Sequence, residues 1–340
     1  MREKNRLPFV PVKTSGTFPR RIPWDRKIRL LLRMIRSKIT FKPYVLHLEV
    51  THRCNARCGH CACWRMKPRR ELKGYEEPVR HFRPLILWLT GGEPLLRSDI
   101  CEIVREIRRV DPDVYIGMST NGWLLNKEMG FHLMEAGLDQ INISIDFLGA
   151  RHDANRKIEG LFDHIADVVP KLKSLGLSVV LTTSLMRENL NCLLPIANLA
   201  HTWGVDVGYS LYSSLKTGDE THRIPEVQLD RLRRIVEELL LLKKQQHRIK
   251  SSDTYLKKIP QFVEKGSIPG CRATKTWLYL APDGYLKICP DREVYSHYKH
   301  YSGGMKISCG ACWYTCRGEM ETPIFERMLW EWFGKVRQQF

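Results

Sequence analysis

The sequence predicts an α/β protein with a parallel sheet, followed by a small cysteine-rich region near the C-terminus. Two observations lead to this fold class. From residue 44 onward, short runs rich in β-branched and aromatic residues alternate with amphipathic helical patterns, which is typical of βα units. At 340 residues, the chain can also bury the core of one large α/β domain or of two smaller ones.

Six βα units are predicted along the first two thirds of the chain. The predicted strands span 44–50, 85–90, 114–119, 140–146, 177–183 and 205–211. The predicted helices between them include 99–109, 126–136, 161–175 and 189–203. Gly137, Gly176 and Gly204 follow three of these helices, where glycine commonly ends a helix. Six units fit either a doubly wound sheet or an incomplete barrel, and both place their chemistry at the carboxyl ends of the strands.

Polar or glycine-rich segments follow four of the predicted strands. A loop with four cysteines, 51–63, comes directly after the first strand, and "TGGEP" (90–94) follows the second. "TNG" (120–122) follows the third strand, and "SID" (144–146) closes the fourth. Because the carboxyl ends of parallel strands share one edge of a sheet, the four segments together predict a single site.

The composition is ordinary for a globular protein, with 43% hydrophobic and 27% charged residues. The sequence contains no run of about 18 uncharged apolar residues, so we expect no membrane-spanning helix. The N-terminus, "MREKNRLPFV", lacks the apolar segment of a signal peptide. We therefore expect a cytoplasmic protein, in which clustered cysteines hold metal more often than they form disulfides.

The net charge of +18 is concentrated near the N-terminus. Residues 1–45 hold 13 Lys or Arg against two acidic residues, and residues 65–83 hold seven against three. Such segments attract anionic partners, which include phospholipid headgroups, nucleic acid and acidic substrates.

Residues 24–39 predict an amphipathic helix with an apolar stripe and an arginine-rich reverse side. The stripe consists of Trp24, Ile28, Leu31, Leu32, Ile35 and Ile39, and the reverse side of Arg26, Arg29, Arg33 and Arg36. This pattern is typical of a helix in the interface of an anionic membrane, which would place the protein peripherally at the inner membrane surface. The alternative is a helix that caps the base of the sheet and leaves its basic face solvated.

The cysteine loop offers thiol ligands for a metal centre. Cys54, Cys58 and Cys61 have the spacing C-x3-C-x2-C, and Cys63 or His60 could add a fourth ligand for zinc. A three-thiolate loop after the first strand, with GGEP after the second, resembles the radical S-adenosylmethionine (radical SAM) superfamily. The resemblance implies a partial (βα)6 TIM-like barrel and a 4Fe–4S cluster held by these three cysteines. It leaves one iron open for S-adenosylmethionine, and His60 then packs beside the cluster.

The resemblance also implies which residues bind S-adenosylmethionine. They are Gly91, Gly92, Glu93 and Pro94 of GGEP, together with Ser119, Asn121, Ser144 and Arg156. GGEP is implied to hold the methionine amino group, and Arg156 the carboxylate, which suits a guanidinium. Simpler readings are a turn at Asn121–Gly122, a strand-end hydroxyl at Ser144 and a surface ion pair at Arg156.

A second cysteine group lies in the C-terminal region. Cys271, Gly284 and Cys289 give C-x12-G-x4-C around a predicted hairpin in "TWLYLAPDGYLKIC", and Cys309, Cys312 and Cys316 follow as C-x2-C-x3-C. The arrangement resembles the SPASM or twitch extension of radical SAM enzymes, although it has five cysteines where the full SPASM pattern has seven. The resemblance implies one auxiliary 4Fe–4S cluster, held by Cys271, Cys289 and two of the other three. A zinc ribbon is the alternative.

The predicted organisation has four parts. They are a basic extension (1–43), the radical SAM core barrel (44–215), a helical connection (216–265) with a long amphipathic helix, and the cysteine-rich hairpin domain (266–340).

The resemblance implies an enzyme that cleaves S-adenosylmethionine reductively and abstracts a substrate hydrogen, acting on a peptide or a peptide-derived cofactor. It needs a one-electron donor such as a flavodoxin- or ferredoxin-like protein. The alternative substrates are a lipid or isoprenoid and a tetrapyrrole intermediate. An alternative of another class is a non-catalytic, zinc-bound nucleic-acid-binding protein, which the basic charge allows.

Overall fold

The computed structural model describes residues 24–40, 43–305 and 307–323. The strands are β1 (Val45–Thr51), β2 (Ile86–Gly91), β3 (Tyr115–Thr120), β4 (Gln140–Ser144), β5 (Ser178–Leu185), β6 (Asp206–Leu211), β7 (Trp277–Leu280), β8 (Tyr285–Lys287) and β9 (Val294–His297). The α-helices are α1 (Trp24–Thr40), α2 (Glu76–Phe82), α3 (Ile100–Val110), α4 (Lys127–Ala136), α5 (Ala150–Arg156), α6 (Leu161–Ser174), α7 (Leu193–Trp203), α8 (Leu229–Gln246), α9 (Asp253–Lys265) and α10 (Thr315–Glu321).

One nine-stranded sheet runs in the order β6-β5-β4-β3-β2-β1-β7-β8-β9. The strands from β6 to β7 pair in parallel, whereas β8 and β9 pair antiparallel and extend the sheet beyond β7. The six predicted βα units are confirmed, and they form the partial TIM-like barrel. The predicted hairpin is β7–β8, which joins the cysteine-rich region directly to β1.

The two faces of the barrel sheet differ in burial. On the outer face, side chains such as Leu87, Leu89 and Ile141 are fully buried against the helices. On the inner face, the alternate side chains are half-buried and mostly polar. They include Ser119, Asn142, Ser144, Thr182, Ser184 and Ser210. The barrel therefore encloses a polar cleft that opens at the carboxyl ends of the strands.

Helix α10 brings the last cysteines to this cleft. It packs against β6, where the Thr315 hydroxyl donates to the Tyr209 carbonyl at 2.5 Å and the Thr315 N–H to Ser210 Oγ at 3.3 Å. Cys316 lies in the first turn of this helix, next to Tyr279 on β7. The second cysteine group therefore opens onto the side of the barrel.

Helix α1 caps the base of the barrel with its arginine side inward. Arg29 forms two hydrogen bonds with Asp113, at 2.7 and 2.8 Å, and Arg33 two with Asp111, at 2.5 and 3.0 Å. Arg33 also donates to the Pro84 carbonyl at 3.0 Å. The prediction of a solvated basic face is therefore wrong for both arginines. The helix sequence could not indicate these contacts, because Asp111 and Asp113 lie far away along the chain. The side chains of Arg26, Arg36 and Ile39 lie outside the part of the structure that is described, so their predicted positions stay predictions.

Within the described residues, no helix has both the length and the apolar character needed to cross a membrane.

An aromatic layer crosses the inner face of the barrel. Tyr279, His47 and Trp88 occupy one register row on β7, β1 and β2, and the Tyr279 and His47 rings stack at 4.3 Å. The Trp88 ring lies over Gly117 of β3, where a Cβ would come within 2.1 Å of the indole, and its Nε1 donates to Ser119 Oγ at 2.7 Å. Glycine at 117 thus lets the indole lie flat on the sheet.

We expect Gly117→Ala to lower the free energy of unfolding by about 1–3 kcal/mol, because the added methyl group displaces the packed indole. Urea denaturation followed by circular dichroism measures this change. The matched control is Gly208→Ala on the same inner face, where the new Cβ would meet only Ser251 Oγ at 3.9 Å. Equal effects of the two substitutions would contradict the indole position, and Trp88→Leu should relieve most of the loss in the double variant.

Candidate functional site

The cysteine loop begins where β1 ends and folds back on itself. The Cys61 N–H donates to the Cys58 carbonyl at 3.3 Å, and Trp64 Nε1 donates to the same carbonyl at 3.0 Å. Cys58 is buried, and Cys54 and Cys61 are half-buried. These contacts keep the three predicted ligands on one compact loop at the mouth of the barrel.

All eleven cysteines of the chain lie in the described residues and are free thiols. The disulfide reading of the clusters therefore finds no support in the fold.

The GGEP segment is joined to this loop through its main chain. The Gly92 N–H donates to the Thr51 carbonyl and the Glu93 N–H to the Arg53 carbonyl, both at 2.8 Å. A Cβ on Gly91 would lie 2.1 Å from the Thr51 oxygen, and one on Gly92 would lie 2.1 Å from the Arg53 oxygen. Gly91 also has φ +135°, a backbone conformation that favours glycine. Both glycines are therefore required for the contact between the two segments.

The Glu93 side chain ties the end of β2 to the end of β3. Its carboxylate accepts hydrogen bonds from Thr120 Oγ1 at 2.7 Å, the Asn121 N–H at 2.7 Å and the Leu95 N–H at 3.1 Å. Complete burial raises the Glu93 pKa, although these hydrogen bonds oppose the shift. The predicted role of GGEP in holding the methionine amino group stays a prediction, and Glu93 has this additional structural role.

The other predicted contacts of S-adenosylmethionine lie around the same mouth. Asn121 forms the turn that was the simpler reading, since its Oδ1 accepts from the Trp123 N–H at 2.9 Å. Its Nδ2 donates to Asn55 Oδ1 in the cysteine loop at 2.7 Å. Ser144 and Ser119 lie on the inner face, and Ser119 accepts the Trp88 hydrogen bond. The fold thus brings these residues together at one rim.

Arg156 is buried against the cysteine loop. Its Nη2 pairs with Asp146 Oδ2 at 2.5 Å, and its Nη1 lies 3.7 Å from Cys58 Sγ. The reading of Arg156 as a surface ion pair is therefore wrong. Its buried Nε has no hydrogen-bond partner among the described residues. That free donor suits a carboxylate, and the methionine carboxylate is the one predicted here.

Asp146 was not identified as a site residue, although it belongs to the "SID" segment. Burial opposes its ionisation, but the Arg156 guanidinium, His60 and His152 outweigh that effect and lower its pKa. Its Oδ1 also accepts from the Ser184 N–H at 2.9 Å. Asp146 therefore stays charged and fixes the position of Arg156.

His60 packs beside the cysteine loop. Its Nε2 is 3.7 Å from Asp146 Oδ2, its Nδ1 is 3.4 Å from Asn155 Oδ1, and its ring meets that of His222 edge-on at 6.2 Å. Burial lowers the His60 pKa. Its predicted packing role beside a cluster remains a prediction.

A cluster of charged side chains that sequence reasoning did not predict lies between the two cysteine groups. Lys216, in the loop after β6, donates from Nζ to Cys63 Sγ at 3.2 Å. Glu49 on β1 pairs with Lys287 on β8 at 2.8 Å and with His52 at 3.2 Å. Alternation along β1 could have placed Glu49 on the inner face, but Lys216 lies in an irregular loop without a motif.

The second cysteine group converges beside β7 and β8. Burial raises the pKa of Cys289 to about 11 and that of Cys312 to about 12, and it also raises the pKa values of Cys271 and Cys316. Neighbouring thiols raise these pKa values further, through the pairs Cys271–Cys309, Cys271–Cys289, Cys289–Cys312, Cys289–Cys316 and Cys312–Cys316. The Cys309 carbonyl accepts from the Cys271 N–H at 3.2 Å.

Both thiol groups fit iron–sulfur clusters by the chemistry of their donors. Burial makes isolated thiolates unfavourable, as the raised Cys54 pKa of about 11 shows, and positively charged irons would compensate for it. Each thiolate of a cubane binds its own iron, so the sulfur atoms need not meet at a single point. Within the described residues, no three His, Cys, Asp or Glu side chains are placed to hold one metal ion.

Comparison with known proteins identifies the family. Residues 48–200 match the family model of the Radical SAM superfamily. The chain belongs to this superfamily. Its members are enzymes, and so is this chain, which excludes the non-catalytic zinc-bound alternative.

Two relatives illustrate the range of the superfamily. The AdoMet-dependent heme synthase of Methanosarcina barkeri is 26% identical over 323 residues, which cover 82% of this chain and 92% of the synthase. The GTP 3′,8-cyclase of Nautilia profundicola is 30% identical over 186 residues, which cover 52% of this chain and 58% of the cyclase. The similarity thus spans just over half of the cyclase.

Solved structures confirm the fold. Streptococcus suis SuiB bound to the precursor peptide SuiA has a TM-score of 0.62 at 14% identity, covering 85% of this chain and 71% of SuiB. The anSMEcpe protein with bound AdoMet and the Cp18Cys peptide has a TM-score of 0.60 at 15% identity, covering 76% of this chain and 78% of that protein. At these identities the likeness concerns the fold alone.

We expect Asp146→Ala to lower the free energy of unfolding by about 3–5 kcal/mol, because it leaves the buried Arg156 charge unpaired. Since the Asp146 pKa is depressed, this stabilisation is present above about pH 4 and is lost as the pH falls through the folded-state pKa. Urea denaturation at about pH 8 and pH 5 should therefore give the same loss.

The control for this measurement is Asp167→Ala, which removes an exposed ion pair with Lys171 and should change stability by less than about 1 kcal/mol. A loss at Asp146 no larger than that of the control would contradict the buried pair.

Proposed function

We propose that this protein is a radical SAM enzyme that modifies a peptide or a peptide-derived cofactor. S-adenosylmethionine, reduced by a 4Fe–4S cluster, supplies a 5′-deoxyadenosyl radical in this superfamily, and that radical abstracts a hydrogen atom from the substrate. The single observation that carries the proposal is the contact of the three-cysteine loop with GGEP at the mouth of an open, polar barrel.

Cys54, Cys58 and Cys61 would hold the first cluster, and the surrounding residues would bind S-adenosylmethionine. The GGEP main chain lies against the loop, and the free Arg156 Nε suits the methionine carboxylate. The predicted ribose and polar contacts are Ser119, Asn121 and Ser144. Cys63 is not needed as a ligand, because its thiol is already paired with Lys216.

An auxiliary 4Fe–4S cluster would be held by Cys271, Cys289, Cys312 and Cys316. Cys271, Cys312 and Cys316 each lie within electrostatic range of Cys289, which supports these four as the ligands. The Tyr279 phenol would then donate a hydrogen bond to a cluster ligand, since it contacts Cys316. Cys309 is the fifth thiol and would be free.

The inner face of the barrel favours a polar substrate over a lipid or isoprenoid. Its half-buried side chains are hydroxyls and amides, and the half-buried Trp88 indole offers a surface for stacking. SuiB and anSMEcpe, which share the fold, are both known with bound peptides. A peptide matches both features, since it offers hydrogen-bonding groups along its whole length.

A tetrapyrrole is the second candidate substrate. The specific observation in its favour is the 26% identity to the AdoMet-dependent heme synthase along 92% of that protein. The aromatic layer of Tyr279, His47 and Trp88 would suit a planar ring system.

The reducing partner would be a flavodoxin- or ferredoxin-like protein in the cytoplasm. A net charge of +18 favours association with an acidic electron donor, and the free thiols suit a reducing compartment.

We expect the anaerobically reconstituted protein to hold about eight irons and eight sulfides, as two cubanes require, and to release 5′-deoxyadenosine from S-adenosylmethionine with dithionite. Cys58→Ala should abolish 5′-deoxyadenosine release and leave about four irons. Cys289→Ala should also leave about four irons but keep the release of 5′-deoxyadenosine. Iron analysis and chromatography measure the two quantities.

Two control variants sharpen this assignment. Cys101→Ala removes a half-buried thiol that packs against the core, and it should retain about eight irons. Cys309→Ala should retain them as well if the four auxiliary ligands are correct. Full 5′-deoxyadenosine release by Cys58→Ala would refute the proposed function, and iron loss in Cys309→Ala would refute only the ligand set.

The two substrate candidates can be separated by mass spectrometry. We expect a mass change in a peptide encoded beside the gene when the two are co-expressed, and none in an iron porphyrin bearing propionates. The reverse result would favour the tetrapyrrole.

A further inference from the structure

Helix α1 has an exposed apolar face. Ile28, Leu32 and Ile35 are 56%, 60% and 48% exposed, although each is a large apolar side chain. Their spacing of four and three residues places them on one side of the helix. A helix on the surface of a globular protein normally turns such side chains toward the core, whereas these three are exposed.

The arginines fix this orientation. The bidentate contacts of Arg29 with Asp113 and of Arg33 with Asp111 hold the adjoining side of α1 against the barrel. Bidentate hydrogen bonds of this kind fix the orientation of the two groups as well as stabilising their contact. The apolar face is therefore held outward by specific contacts.

The helix lies at the end of the barrel opposite the active-site mouth. Asp111 and Asp113 precede β3, and Pro84 precedes β2, so α1 contacts the amino ends of the strands. The cysteine loop and GGEP lie at the carboxyl ends of the same strands. A surface that binds α1 would thus leave the mouth facing away from it.

We propose that the Ile28–Leu32–Ile35 face of α1 binds the interface of an anionic membrane and anchors the enzyme with its mouth toward the aqueous phase. Charge complementarity identifies this occupant. Residues 24–40 contain six basic residues and one acidic residue, and residues 1–23 also contain six against one. Among the basic side chains of α1 that the structure describes, Arg29 and Arg33 are paired with acids of the barrel base. An apolar helix face with an excess of basic residues is typical of interfacial anchors.

The anchor does not depend on the radical chemistry. It also separates membrane binding from substrate choice, because a lipid in the bound bilayer would lie at the wrong end of the barrel. The polar cleft and the anchor thus agree in disfavouring a lipid substrate.

The test is co-sedimentation of the full-length, reconstituted protein with vesicles of phosphatidylcholine alone or with added phosphatidylglycerol. We expect binding to the anionic vesicles only, weakened by salt. The double variant Ile28→Glu/Leu32→Glu should bind at least about tenfold more weakly, because it loses two inserted apolar side chains and adds negative charge. Leu241→Glu on α8, which alters an equally exposed leucine (57%), should bind like the wild type.

Two measurements keep the outcome decisive. Circular dichroism and iron content establish that each variant is folded, and Ile35→Glu provides a second, single substitution with the same expected direction. Wild-type binding by the double variant or by Ile35→Glu would overturn the proposal. The absence of anionic-vesicle binding by the wild type would also overturn it. If another segment of this chain covers the face instead, the double variant should have a lower melting temperature. If a second copy covers it, size-exclusion chromatography should show a dimer.

Discussion

The close main-chain contact between the end of β2 and the start of the cysteine loop is the constraint on which the site depends. Two hydrogen bonds of 2.8 Å join Gly92 and Glu93 to Thr51 and Arg53. The approach is so close that a Cβ on Gly91 or Gly92 would lie 2.1 Å from a carbonyl oxygen of the loop. The contact fixes the loop relative to GGEP before any ligand binds. The Glu93 carboxylate then extends the same connection to β3, so the ends of three strands are held as one rigid rim.

Positive charges accompany two thiols of the cysteine loop. Arg156 lies beside Cys58, and Lys216 lies beside Cys63. In a low-dielectric environment a thiolate is costly unless a cation or a metal compensates for it. Each cation is in turn held by the fold, as the Asp146–Arg156 pair illustrates. Such pairs stabilise the charge distribution that a reduced, more negative cluster would need.

Much of the fold was predictable because its signals are local. Strand bounds were predicted to within two residues, since alternation and glycine caps are read over short windows. The orientation of α1 was not, because its decisive partners, Asp111 and Asp113, are about 80 residues away and nothing in the helix itself identifies them. Asp146 and Lys216 were not predicted as site residues for a similar reason, since their roles come from contacts across the barrel and not from a sequence spacing.

The position of the two cysteine groups limits where a substrate can bind. The outer face of the barrel is buried by helices, and α1 lies against the segments before β2 and β3, so the inner face is the accessible route to the first group. The second group reaches that same face through α10 and Tyr279. A substrate on the polar inner face would therefore lie between the two groups. This shared cleft is what makes a role for the second group in the same reaction physically reasonable, in contrast to a remote structural zinc site.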